Sequence, residues 1–158
     1  EKLRDKWNDG PSTYLGIFIH GFPNLIMLAG PQSGSASTNF PRGIETGVNW
    51  VTDFLEYMWD KGYLRADATF KAEESWTAHV TKMYSTMLMR KAKSWFTGYN
   101  SNVEGHEQGK TRYFVYNGGA PKFVARLVDV AANGYEGLDL TSGPPPASGS
   151  QGAGKAVS

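Results

Sequence analysis

Cysteine is absent from this 158-residue chain, which removes disulfides, thiolate nucleophiles and cysteine metal centres from consideration. No run of about 18 apolar residues occurs, and the opening Glu1-Lys2-Leu3-Arg4-Asp5-Lys6 has no apolar core. Neither a membrane span nor a signal peptide is therefore expected, and a cytoplasmic location is the default. An excess of one charge is also missing: sixteen Lys and Arg are interspersed with fifteen Asp and Glu, for a net charge of +1. That balance offers no footprint for nucleic acid or an anionic membrane. The three histidines, His20, His79 and His106, stand far apart without ligand spacing, so each is expected to pack or face solvent rather than bind a metal. No Gly-x-Gly-x-x-Gly follows a strand pattern, so the chain is expected to lack a phosphate cradle for a dinucleotide.

The most informative stretch runs from Gly21 to Phe40. Leu25 to Ala29 is an apolar run between Pro23-Asn24 and Gly30-Pro31, which predicts a short strand buried on both faces, as in parallel sheets. After it, Gly30, Ser33, Gly34, Ser35, Ala36 and Ser37 carry little side-chain bulk, leaving room for a ligand against the backbone. Asn39 is placed to cap a helix with Pro41 in its first turn, ending near Gly62. Ile44, Val48, Val51, Leu55 and Met58 give that helix its apolar set at spacings of 4, 3, 4 and 3. A helix start carries unpaired N–H groups and partial positive charge, which suits an electron-rich oxygen or an anion. The competing reading is an ordinary strand-loop-helix connection that holds nothing.

Further along, a turn through Asp67 and Thr69 leads to a second amphipathic helix over residues 72–88, with Trp76, Val80, Met83 and Met87 on its apolar face. Residues 98–110 read as a polar loop, 113–116 as a short strand, and 121–132 as a last helix with Phe123, Leu127 and Val130 inward. Residues 1–140 thus form an α/β segment, and residues 141–158 a Gly/Pro/Ser tail expected to be disordered because it buries too little. Two motif matches fail on context. His20-Gly21-Phe22-Pro23 is like the oxyanion turn of an α/β-hydrolase, but no nucleophile elbow accompanies it. Gly149 to Ala156 imitates a phosphate loop, but ends in Ala where Ser or Thr must reach magnesium.

A set of motifs runs in one order: Thr13-Tyr14-Leu15-Gly16, Gly21-Phe22-Pro23-Asn24-Leu25, Gly30-Pro31 with Ser35 and Asn39, then Ile44-Glu45 with Trp50. Ser94-Trp95 with Gly98 and Asn100, Gly118-Gly119, and Asn133-Gly134-Tyr135-Glu136-Gly137 complete it. Over about residues 6–140 this order resembles the carboxy-terminal portion of class I Baeyer–Villiger monooxygenases, relatives of cyclohexanone and phenylacetone monooxygenases. The resemblance implies the carboxy-terminal segment of a Rossmann-like FAD-binding domain, α/β in class, with amphipathic helices and short strands. It also implies an oxidoreductase that uses FAD, NADPH and O2 to insert one oxygen atom into a ketone beside the carbonyl. Family members are several times longer and hold two dinucleotide-binding domains, so that remainder is the expected partner and the chain alone is expected to be inactive.

The family's catalytic arginine has no counterpart here, so no residue is assigned as catalytic and none as a metal ligand. The resemblance puts Gly34, Ser35, Ala36, Ser37, Phe40 and Val115 at the substrate cavity, Asn39 and Phe40 at FAD, and Trp95 at NADP. Gly34 and Ser37 stand where many relatives carry proline and a bulky apolar residue, and the segment over residues 99–112 is long. The long segment resembles members that accept large or macrocyclic ketones. The competing expectation is a catalytically silent piece that only stabilises a partner chain.

Overall fold

Residues 1–34, 39–106, 112 and 114–143 are described by the computed structural model. From the amino end come a single turn α1 (Leu3–Lys6), the long helix α2 (Phe40–Lys61), strand β1 (Arg65–Ala68) and helix α3 (Phe70–Ser85). Two 3-10 turns at Leu88–Lys91 and Trp95–Thr97 follow, then α4 (Ala120–Ala132) and β2 (Leu138–Thr141).

The helix ends follow from their caps. Asn39 Oδ1 accepts from the Arg42 N–H at 3.4 Å, proline occupies the first turn of α2, and Gly62 ends it at φ 68°, a left-handed conformation that glycine adopts without strain. Thr69 Oγ1 accepts from the Ala72 N–H at 3.2 Å, so α3 starts at Phe70, two residues earlier than its apolar spacing suggests, and closes at Ser85. Met87 therefore lies beyond the helix. α4 buries Phe123, Leu127 and Val130, as their spacing predicts.

The strands differ from expectation. Residues 25–29 form no strand: their cross-chain backbone bond is Met27 N–H to Ile17 C=O at 2.9 Å, and left-handed Asn24 (φ 60°) and Ala29 (φ 56°) bend the chain at either end. Leu25 and Leu28 consequently remain 38% and 50% exposed. An apolar run reports burial potential but cannot supply a strand partner. In the second expected strand, Tyr113 lies outside the described residues. Phe114 bonds on both sides, donating to Phe96 C=O at 3.0 Å and accepting from the Gln32 N–H at 2.6 Å, without regular strand geometry.

β1 and β2 form instead, antiparallel from Arg65↔Thr141 to Ala68↔Leu138, where the sequence suggests a turn through Asp67 and the end of the folded segment, with Thr141 already in the tail. They are the only sheet among the described residues, which are thus helices with few strands rather than a parallel sheet. Thr141 belongs to the fold; residues 144–158 of the expected tail lie outside the described residues.

The centre of the core is irregular. Every residue from Gly10 to Ile19 is buried, with one isolated bridge, Tyr14 to Phe18. Gly16, at φ +70°, lies directly against the Ser33 backbone, where no Cβ would fit. Two aromatic groups pack around this segment. Phe18 meets Phe54 edge-on at 5.3 Å while Phe54 stacks on Trp50, and Trp76 stacks on Tyr116 at 5.3 Å.

α2 presents Trp50, Val51, Phe54 and Met58 to this core. Of the expected apolar set, Val48 and Leu55 are 39% and 50% exposed. The buried face is therefore rotated from the predicted one. The apolar arc of α2 is roughly 200° wide, and the side that carries the Trp50 and Phe54 rings is the one buried.

Candidate functional site

The loop before α2 hangs on Gln32, a fully buried residue at φ 67°. Its Oε1 accepts from Thr13 Oγ1 at 2.9 Å, Thr77 Oγ1 at 3.1 Å and the Thr13 N–H at 3.3 Å. Its Nε2 donates to Pro11 C=O at 3.0 Å, and its carbonyl accepts from Trp76 Nε1 at 3.2 Å. One amide side chain thus ties the loop to the buried segment and to α3, satisfying groups that are costly to leave unpaired. Nothing local marked it, since a glutamine between Pro31 and Ser33 reads as solvent-facing.

Two residues farther on, Gly34 lies under the Phe123 ring; a Cβ there would come within 2.5 Å of it. The space opened by this glycine is filled by α4. Beside that contact the amino ends of α2 and α4 converge on a cavity of about 520 Å³ lined by Gly34, Arg42, Gly43, Thr46, Pro121 and Phe123. Neither helix has an acidic residue in its first turn, so the local field is positive. Asn39 is exposed at the cap, and Phe40 beside it is 53% exposed. Ser35, Ala36 and Ser37 lie outside the described residues. Val115, 7% exposed, sits in the core and does not line this cavity.

Trp95 stands apart from these. It is 67% exposed, outside this chain's own core, and borders a cavity of about 490 Å³ with Gly98, Tyr99, Asn100, Ser101 and His106. Ser94 Oγ accepts from the Phe96 N–H at 3.3 Å and starts the short turn that carries it. His106 Nδ1 lies 3.2 Å from Gly98 C=O, and the Asn100 N–H donates to His106 C=O at 2.9 Å, closing the loop on itself. Lys93 Nζ sits 5.4 Å above the Tyr99 ring. Of the expected site residues the structure therefore places Gly34 on the cavity between α2 and α4 and Trp95 on another, while Asn39 and Phe40 stand at the start of α2 outside the lining of either.

The Gly21-Phe22-Pro23-Asn24 motif is structural here. The Asn24 N–H donates to Ala66 C=O at 2.8 Å and Asn24 Oδ1 accepts from the Ala66 N–H at 2.9 Å, clipping the motif onto β1. Asp67 accepts from the Gly21 N–H at 3.0 Å and pairs with Arg65 at 2.8 Å. Buried Glu73 accepts from the His20 N–H and pairs with Lys6 at 3.0 Å. His20 packs on Phe70, with Nδ1 2.8 Å from Ala68 C=O.

A third cavity, about 540 Å³, lies between α3 and α4 and carries none of the expected site residues. On its wall Tyr14 donates to Glu136 C=O at 2.7 Å, and burial pushes its phenol above the ordinary range. No helix among the described residues is long and apolar enough to cross a membrane.

No protein-family model matches the chain. It is 37% identical over 144 residues to phenazine N-monooxygenase PhzNO1 of Lysobacter antibioticus, a match covering 91% of this chain and 25% of that protein. Against cyclohexanone 1,2-monooxygenase of an Acinetobacter species the identity is 33%, covering 87% of this chain and 24% of the relative. The fold is similar to that of OTEMO in complex with FAD and NADP, with a TM-score of 0.78 and 34% identity over 89% of this chain and 25% of that one. The chain spans about a quarter of the length of the curated relatives it matches. In sequence and fold together, the chain resembles that quarter of these monooxygenases, among whose relatives is a Baeyer–Villiger monooxygenase of Pseudooceanicola batsensis at 32% identity.

Proposed function

We propose that the chain is the carboxy-terminal part of a flavin-dependent monooxygenase that inserts one atom of O2 into a ketone next to the carbonyl, giving an ester or lactone, with NADPH as reductant. The observation that carries this reading is the cavity where α2 and α4 begin, with Gly34 and Arg42 on its wall and no acid in either first turn. Such a positive, partly apolar recess suits the electron-rich pyrimidine edge of a flavin. When bound, FAD supplies the redox and oxygen-transfer chemistry. The residues of this chain supply placement. Asn39 fixes where α2 begins, Phe40 offers a half-exposed apolar face, and Phe123 holds the backbone at Gly34.

On this reading Ser35, Ala36 and Ser37 leave room for substrate, and Val115 belongs to the same buried core as Phe123, which lines the cavity. Exposed Trp95 is the surface on which NADP packs. The ketone is large or macrocyclic, in keeping with the small residues over 34–37 and the long segment over 99–112. The phosphate groups of both dinucleotides are held by the rest of the enzyme, the two dinucleotide-binding domains, because this chain has no glycine cradle for them.

The test grafts this chain in place of the matching quarter of the Acinetobacter cyclohexanone monooxygenase. The expected product is a yellow protein that consumes NADPH on addition of a bulky cyclic ketone and releases the lactone, detected by mass spectrometry. The isolated chain, mixed with excess FAD and desalted, is expected to elute colourless. A chimera that retains FAD yet forms no ester or lactone from ketones of any ring size would refute the proposal.

A further inference from the structure

α2 has two apolar faces, and the fold uses one. At about 100° per residue, Ile44, Val48, Leu55 and Trp59 line up on a stripe roughly a quarter-turn from the buried set Trp50, Val51, Phe54 and Met58. Val48 is 39% exposed, Leu55 50% and Trp59 87%. Beside the stripe is a shallow cleft of about 490 Å³, floored by Thr52, Leu55 and Trp59 and edged by Glu56 and Asp60. On the far side runs an acidic border of Glu45, Asp53, Glu56 and Asp60, with Arg42 as the one cation on that side of the helix. A contiguous apolar stripe with a charged rim is the signature of a contact surface rather than of a solvated helix.

We infer that this stripe docks the remainder of a full-length monooxygenase, on a surface that is apolar at its centre and basic along one rim. The inference rests on the function proposed above. Two observations select the occupant. This chain accounts for about 25% of the relatives it matches, so the same fold in those proteins is accompanied by much more chain that can cover an apolar face. The acidic border also disfavours a second copy, because α2 packed on α2 brings one row of four carboxylates against another with a single arginine on each side.

The test compares Trp59→Ser and Leu55→Ser in two settings, the isolated chain and the chimera described above. In the isolated chain the exposed side chains are expected to be dispensable, with Tm unchanged within about 2 °C and a monomer by sedimentation. In the chimera each substitution is expected to lower Tm by about 5 °C or more. Glu56→Lys with Asp60→Lys should lower it as well, by opposing a basic rim. Unchanged chimera Tm with Trp59→Ser, or an isolated chain that dimerises through this stripe, overturns the inference. So does failure of the unsubstituted chimera to assemble. A chimera that is sensitive at Trp59 but makes no lactone refutes the activity reading and leaves the docking face standing.

Discussion

Replacing Gln32 with leucine tests whether one buried amide organises the loop that leads to the α2 cavity. The side chain makes four hydrogen bonds, three accepted by Oε1 from Thr13 and Thr77 and one donated by Nε2 to Pro11. Leucine keeps most of the volume, so little cavity forms and the loss falls on those bonds. Each is worth about 1 kcal/mol net, and each buried partner left unpaired costs about 1–3 kcal/mol. The three bonds on one oxygen are not independent, so about 4 kcal/mol is the expected loss rather than the sum of four. For a chain of 158 residues this is a Tm drop of roughly 8–16 °C, at about 2–4 °C per kcal/mol.

Gln32→Ala should cost more, by the added cavity, and the shared acceptor can be checked with Thr13→Val and Thr77→Val in a double-mutant cycle. Differential scanning calorimetry reads all of these. In the chimera, the displaced loop should also lower flavin retention, since Gln32 lies two residues before Gly34. A Gln32→Leu drop under about 2 °C with an unchanged unfolding enthalpy would refute the claim that this amide is the organising contact.

The Gly34→Ala variant should lose about 1–3 kcal/mol, because the new Cβ meets the Phe123 ring at 2.5 Å, and Phe123→Leu should restore part of that loss in the double variant. Full additivity of the two would show that the ring does not press on the glycine. Trp95→Ala in the chimera should raise the Michaelis constant for NADPH roughly five- to a hundredfold, or about 1–3 kcal/mol, while FAD stays bound. With the ring 67% exposed, the accompanying change in Tm should be small, and an unchanged constant with a lowered Tm would reverse the assignment.

Burial raises the phenol pKa values of Tyr14, Tyr116 and Tyr135 above the ordinary 10.0. Since the neutral form is favoured in the folded state, their contribution to stability is complete below about pH 10 and is lost as pH rises through the folded values. Absorbance at 295 nm should show part of the eight tyrosines ionising only as near-ultraviolet circular dichroism collapses. Complete titration near pH 10 with the dichroism intact would contradict it.

Local chemistry in the sequence was enough to set the ends of α2 and the buried face of α4. Asn39 with Pro41 and Gly62 bounded α2, and the spacing of Phe123, Leu127 and Val130 set the buried face of α4, because caps and the 3.6-residue period act within one element. The order of short motifs from Thr13 to Gly137 was enough to reach the monooxygenases that the chain resembles. Pairing and partnership depend on distant residues and were decided only by the tertiary structure. The Leu25 to Ala29 run has the composition of a buried strand but no strand beside it among the described residues, whereas Arg65–Ala68, which read as a turn, became a strand because Leu138–Thr141 returned to pair with it.

The same holds for the site. Asn39 and Phe40 could be placed at a helix start from sequence, and Trp95 in a loop. That Phe123 would fill the space at Gly34, that Val115 would be core, and that Gln32 would bind Thr13, Pro11 and Thr77 across up to 45 positions were set by packing between segments. The width of the apolar arc on α2 was visible in the sequence, but its buried part was not. A helix with more apolar surface than one core can cover leaves the choice to the neighbours it meets, and here Phe18 and Tyr135 drew in the Trp50 and Phe54 side, leaving Val48, Leu55 and Trp59 in solvent.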